Sequence, residues 1–233
     1  MSLADPLLWT AVLKIVGVNL ILSGDNAVVI ALAARSLPPR QQKLAIRWGA
    51  GAAVLLRVVL TVFAVALLEL PWLKLAGGVL LVWVGVKLLI PTHGEGALSA
   101  SGNLASAVRT ILVADVVMSL DNVLGVAAAA GGEWVLLAFG LALSVPLVVF
   151  GATLLVKLME RVPSVVIVGA ALIGYVAGEM AWEDSGIESW TGLFPDAAQY
   201  VVASASAAVV VAAGLWLARR STRKAAAARH PAR

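Results

Sequence analysis

Long apolar runs separated by short polar connections form the hydrophobic pattern of this chain. Seven of the runs reach or approach the roughly 20 residues that a helix needs to cross a bilayer. They lie at about 8–34, 46–69, 72–90, 105–130, 134–157, 162–182 and 198–218. Proline or glycine marks most of the connections, as expected where helices end. The pattern predicts an all-α membrane protein with seven transmembrane helices, organised as a single transmembrane domain over residues 1–233.

The composition agrees with a membrane protein and excludes several kinds of site. Of the 233 residues, 61% are hydrophobic and 13% are charged, and the mean hydropathy is +0.99, far outside the range of soluble domains. Cysteine is absent, so disulfides and thiolate metal sites are excluded. His93 and His230 both fall in hydrophilic stretches, which argues against a histidine-built zinc or copper site. The N-terminal residues lack signal-peptide features, so we expect the first span to be retained.

The charges predict how the chain is oriented in the membrane. Lysine and arginine concentrate in the odd-numbered connections and in the tail over 219–233. By the positive-inside rule, the N-terminus lies outside and the C-terminus lies in the cytoplasm of a multi-pass inner (plasma) membrane protein. This role explains the net charge of +4 without a nucleic-acid partner. We expect the basic tail to contact anionic lipid headgroups. The acidic outer connection over 183–197 is either a solvated loop or a surface that attracts cations.

An Asp-Asn pair occurs twice within apolar sequence, which indicates an internal repeat. Further positions align with these pairs, and the third span weakly resembles the sixth. The aligned positions are Asn19 with Asp115, Ser23 with Ser119, Asp25 with Asp121, Asn26 with Asn122, Ala31 with Ala127, Gly77 with Gly169, Trp83 with Tyr175, and Lys87 with Glu179. Because each unit holds three helices, the second enters the membrane from the opposite side. We therefore expect an inverted repeat of residues 8–90 and 105–182, with a flexible linker over 91–104 and an added seventh helix.

The two pairs lie on polar stripes of the first and fourth helices, which would form one oxygen-rich site if they face each other. Carboxylates, carboxamides and hydroxyls suit a hard or borderline divalent cation such as manganese, magnesium or calcium. A structural hydrogen-bonding role is the alternative, although serine or threonine would fill it at lower cost than a buried carboxylate. The predicted metal-binding residues are Asn19, Ser23, Asp25, Asn26, Asp115, Ser119, Asp121 and Asn122.

Three further residues are predicted to act beside this site. Arg57 lies near the middle of the second span and requires a carboxylate partner, for which the motif aspartates are the natural candidates. Its side chain either belongs to a structural ion pair or occupies the metal site when the metal leaves. Met118 would favour manganese through its thioether, or it simply packs against lipid or other helices. Glu179, at the outer end of the sixth span, is either an exit relay or an interfacial side chain.

These motifs resemble those of the TerC family of integral membrane proteins. The first motif is LSGDNA at 22–27, the second is DVVMSLDNV at 115–123, and GYVAGEM at 174–180 is similar to the family's sixth-helix signature. The resemblance covers about residues 8–218, and the compact form is similar to bacterial members identified as manganese transporters. It implies manganese efflux from the cytoplasm and carries over Asp25, Asn26, Asp115, Asp121 and Asn122 as metal-pathway residues.

The motifs and the resemblance together predict a secondary-type exporter of divalent cations, manganese(II) first among them. We expect no resident cofactor and no enzymatic activity, since the sequence has neither a metalloprotease motif nor a nucleophile elbow. The alternative function is a non-transporting membrane scaffold that hands metal or partners to other proteins. The sequence leaves the oligomeric state open and is compatible with a homo-oligomer.

Overall fold

The computed structural model describes residue 17 and residues 24–68, 70–90, 100–130 and 134–229. Within these ranges, side chains lie outside the description at 61–62, 64–68, 100–103, 120–130, 134–140, 143–144 and 223–229. The described residues form helices joined by turns, with no strand among them. The all-helical part of the predicted fold class is thereby confirmed.

The helices of the described residues follow the apolar runs of the sequence. They are α1 (Gly24–Ala34), α2 (Pro39–Leu68), α3 (Leu73–Leu89), α4 (Ala100–Ala130), α5 (Trp134–Arg161), α6 (Ser164–Trp182), α7 (Glu188–Thr191) and α8 (Ala198–Arg229). Each predicted span contains one helix, of which α1, with 11 described residues, is the shortest, whereas α7 is a single short turn in the outer connection. The predicted start of the first span, before Gly24, lies outside the described residues except for Gly17.

Two helices of the described chain combine the length and apolarity that a membrane span requires. They are α6 and the part of α8 over Ala198–Thr222, with mean hydropathies of 1.8 and 2.1. Within the described residues α1 is also apolar, but it is shorter than a span. The fold is consistent with a membrane protein, and the count of seven transmembrane helices stays a prediction.

Several helices extend beyond the apolar runs that predicted them. Helix α2 begins at Pro39 rather than near 46, α4 begins at Ala100 rather than near 105, and α8 continues to Arg229 rather than ending near 218. Hydropathy marks only the part of a helix that suits hydrocarbon, whereas backbone hydrogen bonds continue into polar residues at the headgroups. Residues 100–104, at the end of the predicted linker over 91–104, belong to α4.

The long helices pack as two groups that meet along a smaller contact. The first group, α1, α2, α4 and α5, has contacts between every pair of its members, and so does the second group, α3, α6 and α8. In the second group, a Cβ added at Gly178 would lie 2.6 Å from the Ala203 Cα, and one added at Gly174 would lie 2.8 Å from the Ala207 Cα. Such small residues let membrane helices approach closely, which favours dispersion contacts between them.

One buried carboxylate fastens the start of α3 to the chain that follows α6. Asp184 is only 1% exposed. Its Oδ1 accepts the N–H of Trp72 at 2.8 Å and of Gly186 at 2.7 Å, and its Oδ2 accepts the N–H of Leu75 at 2.9 Å. Burial raises the pKa of this carboxyl, but the backbone donors together lower it further, so the pKa lies below its usual value. We call Trp72, Leu75, Asp184 and Gly186 the outer clasp.

A charged side chain also binds the opposite end of α3. The Arg35 Nη2 donates to the carbonyl oxygen of Leu88 at 2.9 Å. A cation is favourable at this position because the unpaired carbonyls at a helix C-terminus carry partial negative charge. Burial lowers the pKa of the Arg35 guanidinium. Helix α3 is therefore held at both ends by charges from other segments of the chain.

Candidate functional site

A buried ion pair joins α2 to α4 in the interior of the first helix group. The Arg57 Nη2 lies 2.7 Å from the Asp115 Oδ1, and the Arg57 Nε donates to the Ser119 Oγ at 3.0 Å. Ser119, one helical turn after Asp115, donates its hydroxyl to the Asp115 Oδ2 at 3.2 Å. All three residues are buried, with exposures of 3%, 5% and 0% in chain order. The structure thus gives Arg57 a carboxylate partner in the second motif, and we call these residues the central triad.

The central triad is a high-energy arrangement unless all its members remain paired. Removing one partner of a buried ion pair leaves an uncompensated charge, which typically costs about 3–5 kcal/mol. Replacing both partners by apolar groups of similar volume is often neutral or stabilising. The triad is therefore weak evidence for stability.

The first Asp-Asn pair lies at the start of α1, in the same helix group as the triad. Asn26 is 4% exposed, and neither its Nδ2 nor its Oδ1 has a hydrogen-bond partner among the described residues. The Asp25 Oδ1 accepts the N–H of Asn26 at 2.7 Å, and Asp25 lies within electrostatic range of Arg57 and Asp115. An unpaired buried amide typically costs about 1–3 kcal/mol, so its persistence beside a carboxylate favours a place where a ligand supplies the missing contacts.

Met118 and Glu179, which were predicted to act beside the metal site, are not part of the central triad. Met118 is 4% exposed and belongs to the apolar core, so the structure favours its packing role. Glu179 lies on α6 one helical turn after Tyr175, and its neighbour Glu183 lies 3.3 Å from the Lys74 Nζ. Sequence reasoning did not single out Tyr175 as a neighbour of Glu179, although their spacing of four residues on one helix was the available signal.

Four predicted metal-binding residues fall where side chains are not described. Asn19 and Ser23 precede α1, and Asp121 and Asn122 belong to α4 by their backbone alone. Among the described side chains, no three acidic or histidine residues form a group arranged to hold a metal. The described part of the predicted site consists of Asp25, Asn26 and the central triad, so the complete ligand set stays a prediction.

Comparisons with known proteins identify the family of this chain. The model of the integral membrane protein TerC family matches residues 4–222. YjbE of Bacillus subtilis, named as an uncharacterized membrane protein, is 45% identical over 174 residues, which cover 75% of this chain and 80% of YjbE. YceF of the same species, also named as an uncharacterized membrane protein, is 27% identical over 77% of this chain and 73% of YceF.

A more distant relative points to the membrane in which such proteins reside. YgdQ of Escherichia coli, named as an inner membrane protein, is 24% identical over 70% of this chain and 76% of YgdQ. No solved structure gives a significant match. The family match covers nearly the whole chain, including every residue of the central triad and both Asp-Asn pairs. The chain therefore belongs to the TerC family of integral membrane proteins.

Proposed function

We propose that this protein is a secondary-type transporter that exports divalent cations across the inner membrane, with manganese(II) as its main substrate. The observation that carries the proposal is the buried central triad, in the same group of apolar helices as Asn26, whose buried amide has no hydrogen-bond partner in the described part of the chain. Ionisable groups inside a membrane usually mark an ion or substrate pathway, because they are too costly to keep without a function.

The charge balance of the predicted site favours a divalent ion. Its three carboxylates, Asp25, Asp115 and Asp121, less the guanidinium of Arg57, leave two negative charges. A divalent cation neutralises this excess, and oxygen ligands of this kind suit manganese, magnesium and calcium. Protons taken up by the aspartates would neutralise the same charge when the metal leaves, which would couple export to proton entry.

Arg57 is proposed to act as the internal substitute for the metal. Its Nη2 lies 2.7 Å from the Asp115 Oδ1, a contact that a bound cation would compete for. When the ion leaves, the guanidinium keeps Asp115 neutralised inside the membrane. The same carboxylate can then alternate between two positive partners without being left as an unpaired buried charge.

Helix contacts support the inverted repeat that alternating access would use. In the predicted repeat, α1 corresponds to α4, α2 to α5 and α3 to α6. Under this correspondence, each contacting pair of these helices maps onto a pair that is also in contact; the pair α1–α5, for example, maps onto α4–α2. A Cβ at Gly77 on α3 would lie 2.8 Å from Val117 Cγ1 on α4, and one at Gly169 on α6 would lie 2.8 Å from Val28 Cγ1 on α1. This exchange is the pattern expected of two related three-helix units that cross in opposite directions.

The two helix groups supply elements that could move against each other. The candidate site lies in the group of α1, α2, α4 and α5, while α3, α6 and α8 form the second group. In repeat-built transporters, one bundle rocks against the other around a fixed site. We propose that relative movement of these groups exposes Asp25 and Asp115 to the two membrane faces in turn.

Metal flux in liposomes tests the proposal directly. The purified protein is reconstituted with a manganese-sensitive dye inside, and the wild type is compared with Asp25→Asn and Asp121→Asn. Asp196→Asn is the matched control, because it removes an exposed carboxylate in the outer connection. We expect manganese flux in the wild type and the control, and loss of flux in both motif variants.

Two results would count against transport through this site. If wild-type protein moves no divalent ion under any proton gradient, the scaffold alternative becomes the better account. If both motif variants are folded and carry manganese at the wild-type rate, the metal pathway lies elsewhere in the chain. Competition with magnesium and calcium in the same liposomes then measures selectivity.

A further inference from the structure

A basic groove lies between α3 and α4, outside the candidate metal site. Its volume is about 650 Å³, and its lining includes Leu80, Trp83, Lys87, Ser106, Arg109 and Thr110. Lys87 and Arg109 supply two cations, and no carboxylate lines the groove among the described residues. By the positive-inside rule, this end of α3 and α4 faces the cytoplasm.

The groove changes in character along the helix axes. Lys87 is one turn from Trp83 and two turns from Leu80, so the apolar part lies roughly 10 Å deeper in the membrane than the lysine. Trp83 is 55% exposed and Leu80 is 37% exposed, so both can meet lipid chains. The groove therefore joins a cationic mouth at headgroup level to an apolar floor at chain level.

The polar groups at the mouth are available to bind an anion. The Lys87 Nζ lies 4.9 Å from the centroid of the Trp83 ring, and no described residue is shown to accept a hydrogen bond from this ammonium group. Arg109 and Ser106 are exposed. Thr110 donates its hydroxyl to the Ser106 carbonyl oxygen at 2.9 Å, so it contributes only an acceptor.

We propose that this groove binds an anionic phospholipid, with the phosphate between Lys87 and Arg109 and an acyl chain along Trp83 and Leu80. The two cations attract the single negative charge of a phosphodiester headgroup, and basic pockets between helices on the cytoplasmic side favour anionic lipids. The apolar floor distinguishes a lipid from a soluble phosphate, which would use only the mouth. The site is independent of the proposed metal transport.

The position of the groove gives the lipid a defined structural effect. Helix α3 belongs to the group with α6 and α8, whereas α4 belongs to the group that holds the central triad. A lipid in the groove contacts both groups at the basic face of the membrane. Its binding would therefore favour the arrangement in which these ends of α3 and α4 lie side by side.

Native mass spectrometry of the full-length protein tests this lipid site. Phosphatidylglycerol and phosphatidylcholine are titrated against the wild type, Lys87→Gln/Arg109→Gln, and the charge-matched control Lys157→Gln/Arg161→Gln. Both control residues are exposed near the basic end of α5 and do not line the groove. We expect the groove variant to lose one tight phosphatidylglycerol with an affinity decrease of roughly thirtyfold, while the control binds as the wild type does.

Each other outcome would overturn the proposal. An equal loss in both double variants would mean that the lipid responds to surface charge in general, and no loss in either would mean that the groove is not its site. If soluble glycerol phosphate displaces the bound lipid at equal concentration, the mouth binds phosphate without using the apolar floor. Circular dichroism and thermal melts matching the wild type exclude misfolding as the cause of a loss.

Discussion

Two buried carboxylates lie in different regions of the molecule and are held by different kinds of partner. In the outer clasp, Asp184 accepts three backbone N–H groups at 2.7–2.9 Å. In the central triad, Asp115 is bound by the guanidinium of Arg57 and the hydroxyl of Ser119. Backbone donors cannot leave without disrupting a helix start, whereas side chains can rotate away. The difference separates a carboxylate that holds the fold from one that can exchange partners.

The two carboxylates also differ in how fully the polar atoms around them are hydrogen-bonded. Both oxygens of Asp184 accept backbone N–H groups at the start of α3. In the same helix group as the triad, Asn26 keeps two buried polar atoms for which the described residues supply no hydrogen-bond partner. A structural site fills its hydrogen-bonding capacity within the chain, whereas a binding site leaves part of it for a ligand. The contrast predicts that changes in either region lower stability, but that only changes in the central triad abolish manganese flux.

The largest effect on stability is expected from breaking the central triad at one end. Arg57→Met leaves Asp115 buried without its guanidinium, which should lower the free energy of unfolding by about 3–5 kcal/mol. Adding Asp115→Leu removes the stranded charge and should restore most of the stability without restoring manganese flux. Denaturation in mixed detergent micelles, together with flux in liposomes, measures both effects.

Flux in the Arg57→Met/Asp115→Leu double variant decides what the triad is for. If stability and flux return together, the triad is only a structural ion pair, and the comparison with the outer clasp fails. The control for membrane insertion is Lys157→Met, which removes an exposed cation at a helix end.

A smaller loss is expected from Asp184→Asn in the outer clasp. The amide group can accept only part of the backbone N–H donors, so the free energy of unfolding should fall by about 1–2 kcal/mol. Flux per folded molecule should stay at the wild-type level, because Asp184 does not touch the candidate site. Loss of flux in a fully folded variant would remove the distinction between the two carboxylates.

The clasp also predicts a pH dependence of stability. The pKa of Asp184 is lower in the folded protein than its usual value, because its backbone donors outweigh burial. Its contribution is therefore fully present above the unfolded pKa of about 4 and is lost as the pH falls through the folded pKa. The wild type should lose this stability in acid, and Asp184→Asn should lack that component. Asp196→Asn, which removes an exposed carboxylate, should titrate like the wild type.

The smallest effect is expected at the exposed pair beside the clasp. Lys74 lies 3.3 Å from Glu183, whose side chain is 51% exposed. Pairs of this kind contribute about 0–1 kcal/mol, so Glu183→Gln should change stability by no more than that, and less at high salt. A loss as large as that of Asp184→Asn would show that charge near the clasp matters more than its backbone hydrogen bonds.

Hydropathy predicted where the helices lie, and the cost of buried charge predicted that Arg57 needs a carboxylate. The identity of that partner as Asp115 depends on how α2 packs against α4, which is a tertiary property. The outer clasp could not be predicted, because the acidic connection offers several carboxylates and only the fold brings Asp184 to the start of α3. The unpaired amide of Asn26 likewise becomes visible only when the surrounding helices are in place.

The most direct test of metal binding between α1 and α4 is an anomalous-scattering map from crystals soaked in manganese(II). We expect one strong peak with oxygen ligands from Asp25 and Asp121, close to Asn26, and no such peak in Asp25→Asn crystals. A map of well-ordered wild-type crystals with no peak there, or with one unaffected by Asp25→Asn, would contradict the central claim.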